Sequence, residues 1–410
     1  MTISDFEVFE NTFFAQLKSN NKECLKTILK ENKIVEYYLN KKNISYIKKF
    51  VNDFNEIVLD PNTKKYKLCE SVLKRNSFSD VLDEFRESDV LIRACKNCNK
   101  KAIEWLFTMN INYEIQDSLG MTALMHAAEH GGLDFAVEKM MKKNGKHVQL
   151  NDNNGNNVYF HATSSPDILK KLLKYGDHGV FHINNDNENI LLYCSRYNKM
   201  RSFEILDKKY SFNSELTNSV GKNIPMYLVE NARFNELRNY DKKYSIDPNY
   251  KNKFGDCLVS VFMKKYYQQC SGNVGDAKFA SNYNYVIIKN YANTLRYLVE
   301  MRCNFNVTID EDGNTPYSVL EMMGDMVSLR YISQHAYIYS STKNNYRQNG
   351  KNSYPVPSEY IDIIQNWVLE VLYPNEVKNV SLCSNTHRKD DPNSFSGIMQ
   401  KYNTAGLGTY

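Results

Sequence analysis

Apolar residues along this chain recur three and four positions apart in short segments that come in pairs, the spacing that places them on one face of an α-helix. Residues 12–29 show it first, with Phe13, Phe14 and Leu17 in one segment and Leu25, Ile28 and Leu29 in the next. Val35–Leu39 through Phe50 and Val51, and Leu68–Leu73 through Val81 and Leu82, continue it, so residues 1–85 read as helix pairs. Further on, Phe135, Val137 and Met140 mark the apolar stripe of a helix ending near Met141. Near the end, apolar positions 360, 361, 364, 367, 368, 371 and 372 share one face of a helix over 359–373, capped by Ser358 and stopped by Pro374. It reads either as a cap docked on the preceding helices or as a separate partner-binding helix. The polar stretch before it, within 333–358, reads as a linker, and 374–410 as a flexible tail without periodicity.

A second pattern overlies the helices. Asp117-Ser-Leu-Gly120-Met-Thr122-Ala-Leu124-Met-His126-Ala127-Ala128-Glu-His-Gly131 is a turn followed by a helix rich in small residues. Its opening returns as Asp310-Glu-Asp312-Gly313-Asn-Thr315-Pro316. Between them, Asp152-Asn-Asn-Gly155-Asn-Asn157 places Gly155 35 residues beyond Gly120, and Gly255 follows Gly221 by 34. A weaker copy has Asn187 in the glycine place before Ile190–Ser195, and Ala94 precedes Ala127 by 33 residues. Seven units in register span about 86–332. The pattern resembles the ankyrin repeat, D-x-x-G-x-T-P-L-H-x-A-A-x-x-G with a period of about 33 residues. This chain departs from it at Ala123 and Met125, where the family has Pro and His.

The resemblance implies an all-α, ankyrin-type helical repeat solenoid with short β-hairpin turns, closed by a helical C-terminal cap and a disordered tail. The turn glycine supplies a positive φ that a residue with a Cβ adopts reluctantly, and Asn is the next most tolerant occupant. Thr then caps the first helix, and small residues let that helix lie close to its neighbour. No unit buries its face alone, so stacking supplies the core. The array is expected to be softest around Asn187. Residues 1–85 lack D-x-x-G and are either eroded repeats or an N-terminal cap. Between Gly255 and Gly313 the spacing is 58, and the excess falls in 268–290, read as a protruding surface loop that is either a recognition element or a tolerated expansion.

The resemblance also implies protein–protein recognition rather than catalysis, on a concave face built from hairpin tips and first helices. Its exposed, variable places are Ser118, Leu119, Met121, Glu129 and His130 in the best copy. They are Asn153, Asn154, Asn156, Ser164 and Ser165 in the next unit, then Glu188, Arg196 and Tyr197, and beyond the insertion Glu311, Asp312, Asn314, Met322 and Met323.

Composition narrows the alternatives. With 17 Gly and 9 Pro in 410 residues, turn-dense all-β architecture is disfavoured. A net charge of +5 over 52 basic and 47 acidic residues is too weak to imply a nucleic-acid partner. Lys41, Lys42, Lys48 and Lys49 around Tyr46 form the best basic and aromatic segment, read as a solvated helix face, with weak nucleic-acid binding as the alternative function. Nine scattered cysteines suit a reducing compartment, and the acidic start lacks a signal peptide, so a cytoplasmic, monomeric protein is expected.

Enzyme motifs are missing. Gly272-Asn-Val-Gly275-Asp-Ala-Lys278 lacks the four-residue spacing of a phosphate loop, and Phe254-Gly255-Asp256 and His387-Arg388-Lys-Asp390 only echo kinase motifs. Cys95-Lys-Asn-Cys98 has no second ligand pair and reads as packing thiols. His126 and His130, four apart, show no nearby acidic or cysteine partner, and His161 occupies the place of His126. No catalytic residue, cofactor or metal is assigned, and the partner is an unidentified protein.

Overall fold

A turn that ends in a left-handed residue, followed by two helices, is the unit from which most of this chain is built. The computed structural model describes residues 3–31, 33–143, 146–271, 282–337, 356 and 358–377. Six helices come first: α1 Ile3–Lys18, α2 Lys22–Glu31, α3 Ile34–Tyr38, α4 Ile44–Leu59, α5 Tyr66–Leu73 and α6 Ser79–Arg86. Seven pairs follow. They are α7 Val90–Lys96 with α8 Lys100–Leu106, α9 Ala123–Glu129 with α10 Asp134–Lys142, and α11 Val158–Ala162 with α12 Pro166–Tyr175. Next are α13 Ile190–Arg196 with α14 Met200–Lys209 and α15 Ile224–Glu230 with α16 Phe234–Tyr244. The last are α17 Leu258–Ser271 with α18 Asn282–Glu300 and α19 Pro316–Met323 with α20 Met326–His335, before a final α21 Ser358–Leu372. The chain is an all-α helical repeat. Among the described residues there is no strand, and the expected hairpins are reduced to turns, with one isolated antiparallel bridge between Gln116 and Thr122. No described helix is long and apolar enough to cross a membrane.

Two compact units divide the chain, Met1–Phe212 and Asn213–Tyr410. In the first, the helices before the repeats close on an aromatic cluster. Phe13 lies 5.1 Å from Phe50 and 6.1 Å from Phe78 between ring centres, and all three are buried. The repeats then stack in two rows. First helices α7, α9, α11 and α13 pack in succession, and second helices α10, α12 and α14 do the same. Ala94, Ala127, Ala128 and Ala162 are fully buried along the first row, where small side chains permit close approach.

In the second unit α15, α17 and α19 form one row and α16, α18 and α20 the other. The insertion is not a loop over its whole length. Residues 268–271 belong to α17 and 282–290 to α18, while 272–281 lie outside the described residues. Much of the extra length goes into two long helices, of 14 and 19 residues. The physical reason is that the added half of α18 has a partner. Its stripe meets α21, where Tyr285 stacks edge-on to Trp367 at 5.5 Å and donates to Glu370 at 2.9 Å. Lys289 pairs with the same carboxylate at 3.1 Å. Ile364, Val368 and Leu369 of α21 are buried, so this helix is a docked cap. Inside the stack Tyr266 of α17 donates to the fully buried Asp325 at 2.7 Å, and Asp325 accepts from the Ser328 N–H to cap α20. Burial pushes the Asp325 carboxyl up from its ordinary value.

The expected linker 333–358 begins inside α20, and its residues 338–355 and 357 lie outside the described chain. Of the expected tail, residues 374–377 form a helical turn in which Glu376 pairs with Arg330 at 3.1 Å, and 378–410 lie outside.

Candidate protein-interaction surface

The hairpin tips are built by one local device used six times. The first residue of each turn, Asp117, Asp152, Asn184, Asn218, Asn252 or Asp310, accepts with its side chain the main-chain N–H four residues on. Such Asx geometry fixes the turn before any packing. The residue three positions on is left-handed in every copy, with φ of 74° at Gly120, 77° at Gly155, 73° at Gly221, 81° at Gly255 and 79° at Gly313. Asn187 takes the glycine place at φ 60°, as its residue type predicted. Capping shows the same substitution. Thr122 and Thr315 cap α9 and α19, while Asn157, Asn189 and Asn223 cap α11, α13 and α15.

Within the first unit the tips are tied together. Asn153 donates its main-chain N–H to Leu119 O at 2.9 Å and its side-chain amide to Ser118 O at 2.9 Å. Asn185 does the same one unit on, to Asn154 O and Asn153 O, both at 3.0 Å. These asparagines fill the space a Cβ would need, coming within 2.6 Å of one built on Gly120 and 2.5 Å of one built on Gly155.

Under the tips of each unit lie recurring polar contacts. The His126 ring meets Asp117 at 2.9 Å and His161 meets Asp152 at 3.1 Å. His126 therefore has the acidic partner that its sequence neighbours did not reveal, nine residues back in the turn. Burial pushes both carboxyls up, but the histidines and turn N–H groups outweigh it and hold Asp117 and Asp152 below their ordinary value. Tyr227 takes the histidine's place against Asn218, at 2.8 Å. A second contact joins the turn to its first helix eight residues on, Glu188 with Arg196 at 2.9 Å, Lys222 with Glu230 at 2.8 Å and Asp256 with Lys264 at 2.6 Å.

The candidate residues divide accordingly. Ser118, Leu119, Glu129, Asn153, Asn154, Ser164 and Tyr197 are exposed in the first unit, and Glu311, Asp312 in the second. His130, Ser165, Arg196 and Met322 are partly exposed. Met121, Asn156, Glu188, Asn314 and Met323 are buried, against the exposure expected of them. The position after the turn glycine points inward: Asn156 donates to Asp152, Asn314 to Asp310, and Glu188 receives Arg196. Arg196 also grips Asp186 at 2.7 Å, so its guanidinium is committed within the fold. The second helix-end methionine, Met323, fills core. Exposed apolar tips that the sequence reading passed over are Val220 and Phe254, each the third turn residue, as Leu119 is. Two of the four lysines of the basic segment are engaged, Lys41 with Asp83 at 3.4 Å and Lys49 with Glu10 at 2.5 Å. Cys95 is buried and its thiol pushed up to about 12 by that burial, while Cys98 is exposed at a left-handed turn.

No protein-family model matches the sequence, and no curated protein does. Among solved structures, a chain from the complex of a predatory endopeptidase of Bdellovibrio bacteriovorus with an immunity protein is 23% identical, covering 44% of this chain and 94% of that one, with a TM-score of 0.37. The ankyrin repeat domain of Bcl-3, of the IkappaB family, is 15% identical, covering 56% of this chain and 92% of that one, with a TM-score of 0.39. At these TM-scores neither likeness defines a shared activity or partner.

Proposed function

We propose that this protein is a non-catalytic, ankyrin-type interaction scaffold that binds a partner protein through its hairpin tips and the adjoining first-helix ends. The observation that carries the reading is the combination, at one row of turns, of exposed side chains with a backbone held by Asx and tip-to-tip hydrogen bonds. Leu119 is 58% exposed and Tyr197 46%, above turns that lose little further freedom on binding. Tyr and Asn on a rigid backbone give aromatic anchors with adaptable hydrogen bonding. Arg196 belongs to the support rather than the contact surface, because Glu188 and Asp186 hold it.

The test replaces Leu119 and Tyr197 together with serine and leaves Arg196 alone. Neither side chain is core, so the thermal midpoint should stay within a few degrees. Partners captured from cell lysate by the full chain should be lost from the double variant. Unchanged capture by a folded double variant would remove these tips from the binding surface.

A further inference from the structure

A cavity of about 410 Å³ opens in the second unit between the start of α15, the end of α16 and the loops at 214–215 and 245–250. Three tyrosines line it, Tyr240, Tyr244 and Tyr250, together with the carboxylates of Glu215 and Asp247. No lysine, arginine or histidine is among its lining residues, in a chain whose net charge is +5. Aromatic faces beside carboxylates attract an organic cation, the rings through their quadrupoles and the carboxylates through charge. The chain's own Lys243 ammonium stands 4.9 Å from the centre of Tyr244, whose ring also packs against Tyr240 at 4.4 Å, so an incoming ammonium competes with Lys243 for that ring.

The walls are fixed. Ser245 is left-handed at φ 54°, a conformation unusual for a residue with a Cβ, and its N–H is held by Asp241 O at 2.8 Å. Ile246 N–H donates to the Asp241 carboxylate at 2.9 Å, whose other oxygen accepts from Tyr297 at 2.8 Å. Tyr250 is pinned by its hydroxyl to Gly221 O at 3.1 Å, and Asn249 accepts from the Asn304 N–H at 2.9 Å. A strained residue kept in place by surrounding bonds is where binding sites are commonly built. The volume falls at the small end of ligand pockets, the size for one side chain or a small amine.

We infer that this cavity receives an alkylammonium group, either the side chain of a partner's lysine or a free quaternary amine. The site does not depend on the hairpin-tip reading, which rests on Leu119 and Tyr197, neither of which lines the cavity. Calorimetric titration of the full chain tests it with four probes: Nα-acetyl-lysine methylamide, its trimethylated form, the neutral norleucine counterpart and tetramethylammonium chloride. Saturable binding of the charged probes is expected, at least tenfold tighter than norleucine, and weakened about tenfold by Glu215→Gln with Asp247→Asn. Both carboxylates are exposed, so this double variant should keep the parent's thermal midpoint. Tyr244→Leu should weaken binding similarly. Lysine derivatives binding more tightly than tetramethylammonium would assign the site to a protein side chain, and the reverse to a free amine. No saturable binding, equal binding of norleucine, or binding indifferent to the folded double variant would overturn the inference.

Discussion

The turns at 117–122 and 152–157 and those at 252–257 and 310–315 follow one pattern and work under different constraints. In the first pair a glycine is needed twice over, for its positive φ and because an asparagine of the next turn occupies the place of its Cβ. In the second pair only the first demand holds, as nothing lies within 4 Å of a Cβ built on Gly255 or Gly313. The same residue type is thus a packing residue in one region and a purely conformational one in the other. A repeat motif records the shared requirement and hides the local one.

The sharpest way to break this comparison is alanine at each kind of glycine. Gly155→Ala would meet both the Asn185 side chain and its backbone nitrogen, at 2.5 and 2.8 Å, and the backbone has little room to yield. We expect a loss of about 2–4 kcal/mol, combining left-handed strain with overpacking. Gly313→Ala carries the strain alone, about 1–2 kcal/mol. Urea midpoints of the two variants measure the gap, and equal losses would mean that the tip-to-tip contact adds no constraint.

Next in size is the ion pair beneath the tips. Glu188 is completely buried and Arg196 is about a third exposed, so Arg196→Met would take the guanidinium from a buried carboxylate that also meets the Asn184 amide at 3.4 Å. The expected cost is about 2–3 kcal/mol, reduced from that of a fully buried pair by the solvent at the arginine. Lys264→Met, at the same register position in the second unit, removes a half-exposed lysine from a partly exposed Asp256 and should cost less than about 1 kcal/mol. Denaturant titration of both variants checks the order.

These pairs also show what the sequence could and could not reveal. The turns were legible because their demand is local: a left-handed residue must be Gly or Asn, whatever packs around it, and Asn187 could be placed on that ground alone. The helix pairs were legible from apolar spacing and register. The burial of Glu188 was not, because a glutamate reads as surface until a partner eight residues on is seen to bend back over it. Opposite charges recur at that separation in 188 and 196, 222 and 230, and 256 and 264, a signal available once the register is known. The partner of His126 was missed for a similar reason, lying in the turn rather than on its own helix. The length of α18 was missed because a count of residues per repeat assigns any excess to a loop. Its stripe through Tyr285, Ile288, Tyr291, Ala292 and Leu295 has helical spacing. The cavity tyrosines fall on a helix end and a loop, where no periodicity brings them together.

A smaller effect is expected from the asparagine links themselves. Asn185→Ala removes one side-chain hydrogen bond to Asn153 O and leaves the main-chain bond in place, a loss of about 1 kcal/mol. In the second unit Lys253 reaches Ser219 O from an exposed, flexible side chain, and Lys253→Ala should stay within about 0.5 kcal/mol of the parent. Amide exchange at the two sets of turns would resolve the difference even where the global midpoint does not.

The smallest difference emerges only in acid. Asp152 is buried, and its carboxyl is held below its ordinary value by His161 and turn N–H groups that overcome the burial. A carboxyl depressed on folding stabilises the fold above its unfolded pKa, near 3.9, and that contribution disappears as pH falls through the folded value. Turns at 117 and 152 carry such a carboxylate, whereas Asn218 and Asn252 do the same job without a titrating group. The turns at 117 and 152 should therefore loosen below about pH 4 while those at 218 and 252 hold. Asp152→Asn keeps the side-chain acceptor for the Asn156 N–H and gives up the negative charge that faces His161. It should lower stability modestly at pH 7 and flatten the acid limb of the first unit's unfolding profile. Exchange rates at the Asn154 and Asn156 amides between pH 3 and 6, corrected for intrinsic chemistry, provide the measurement. An acid limb unchanged by Asp152→Asn would place the sensitivity elsewhere and remove acid response from the differences between the two regions.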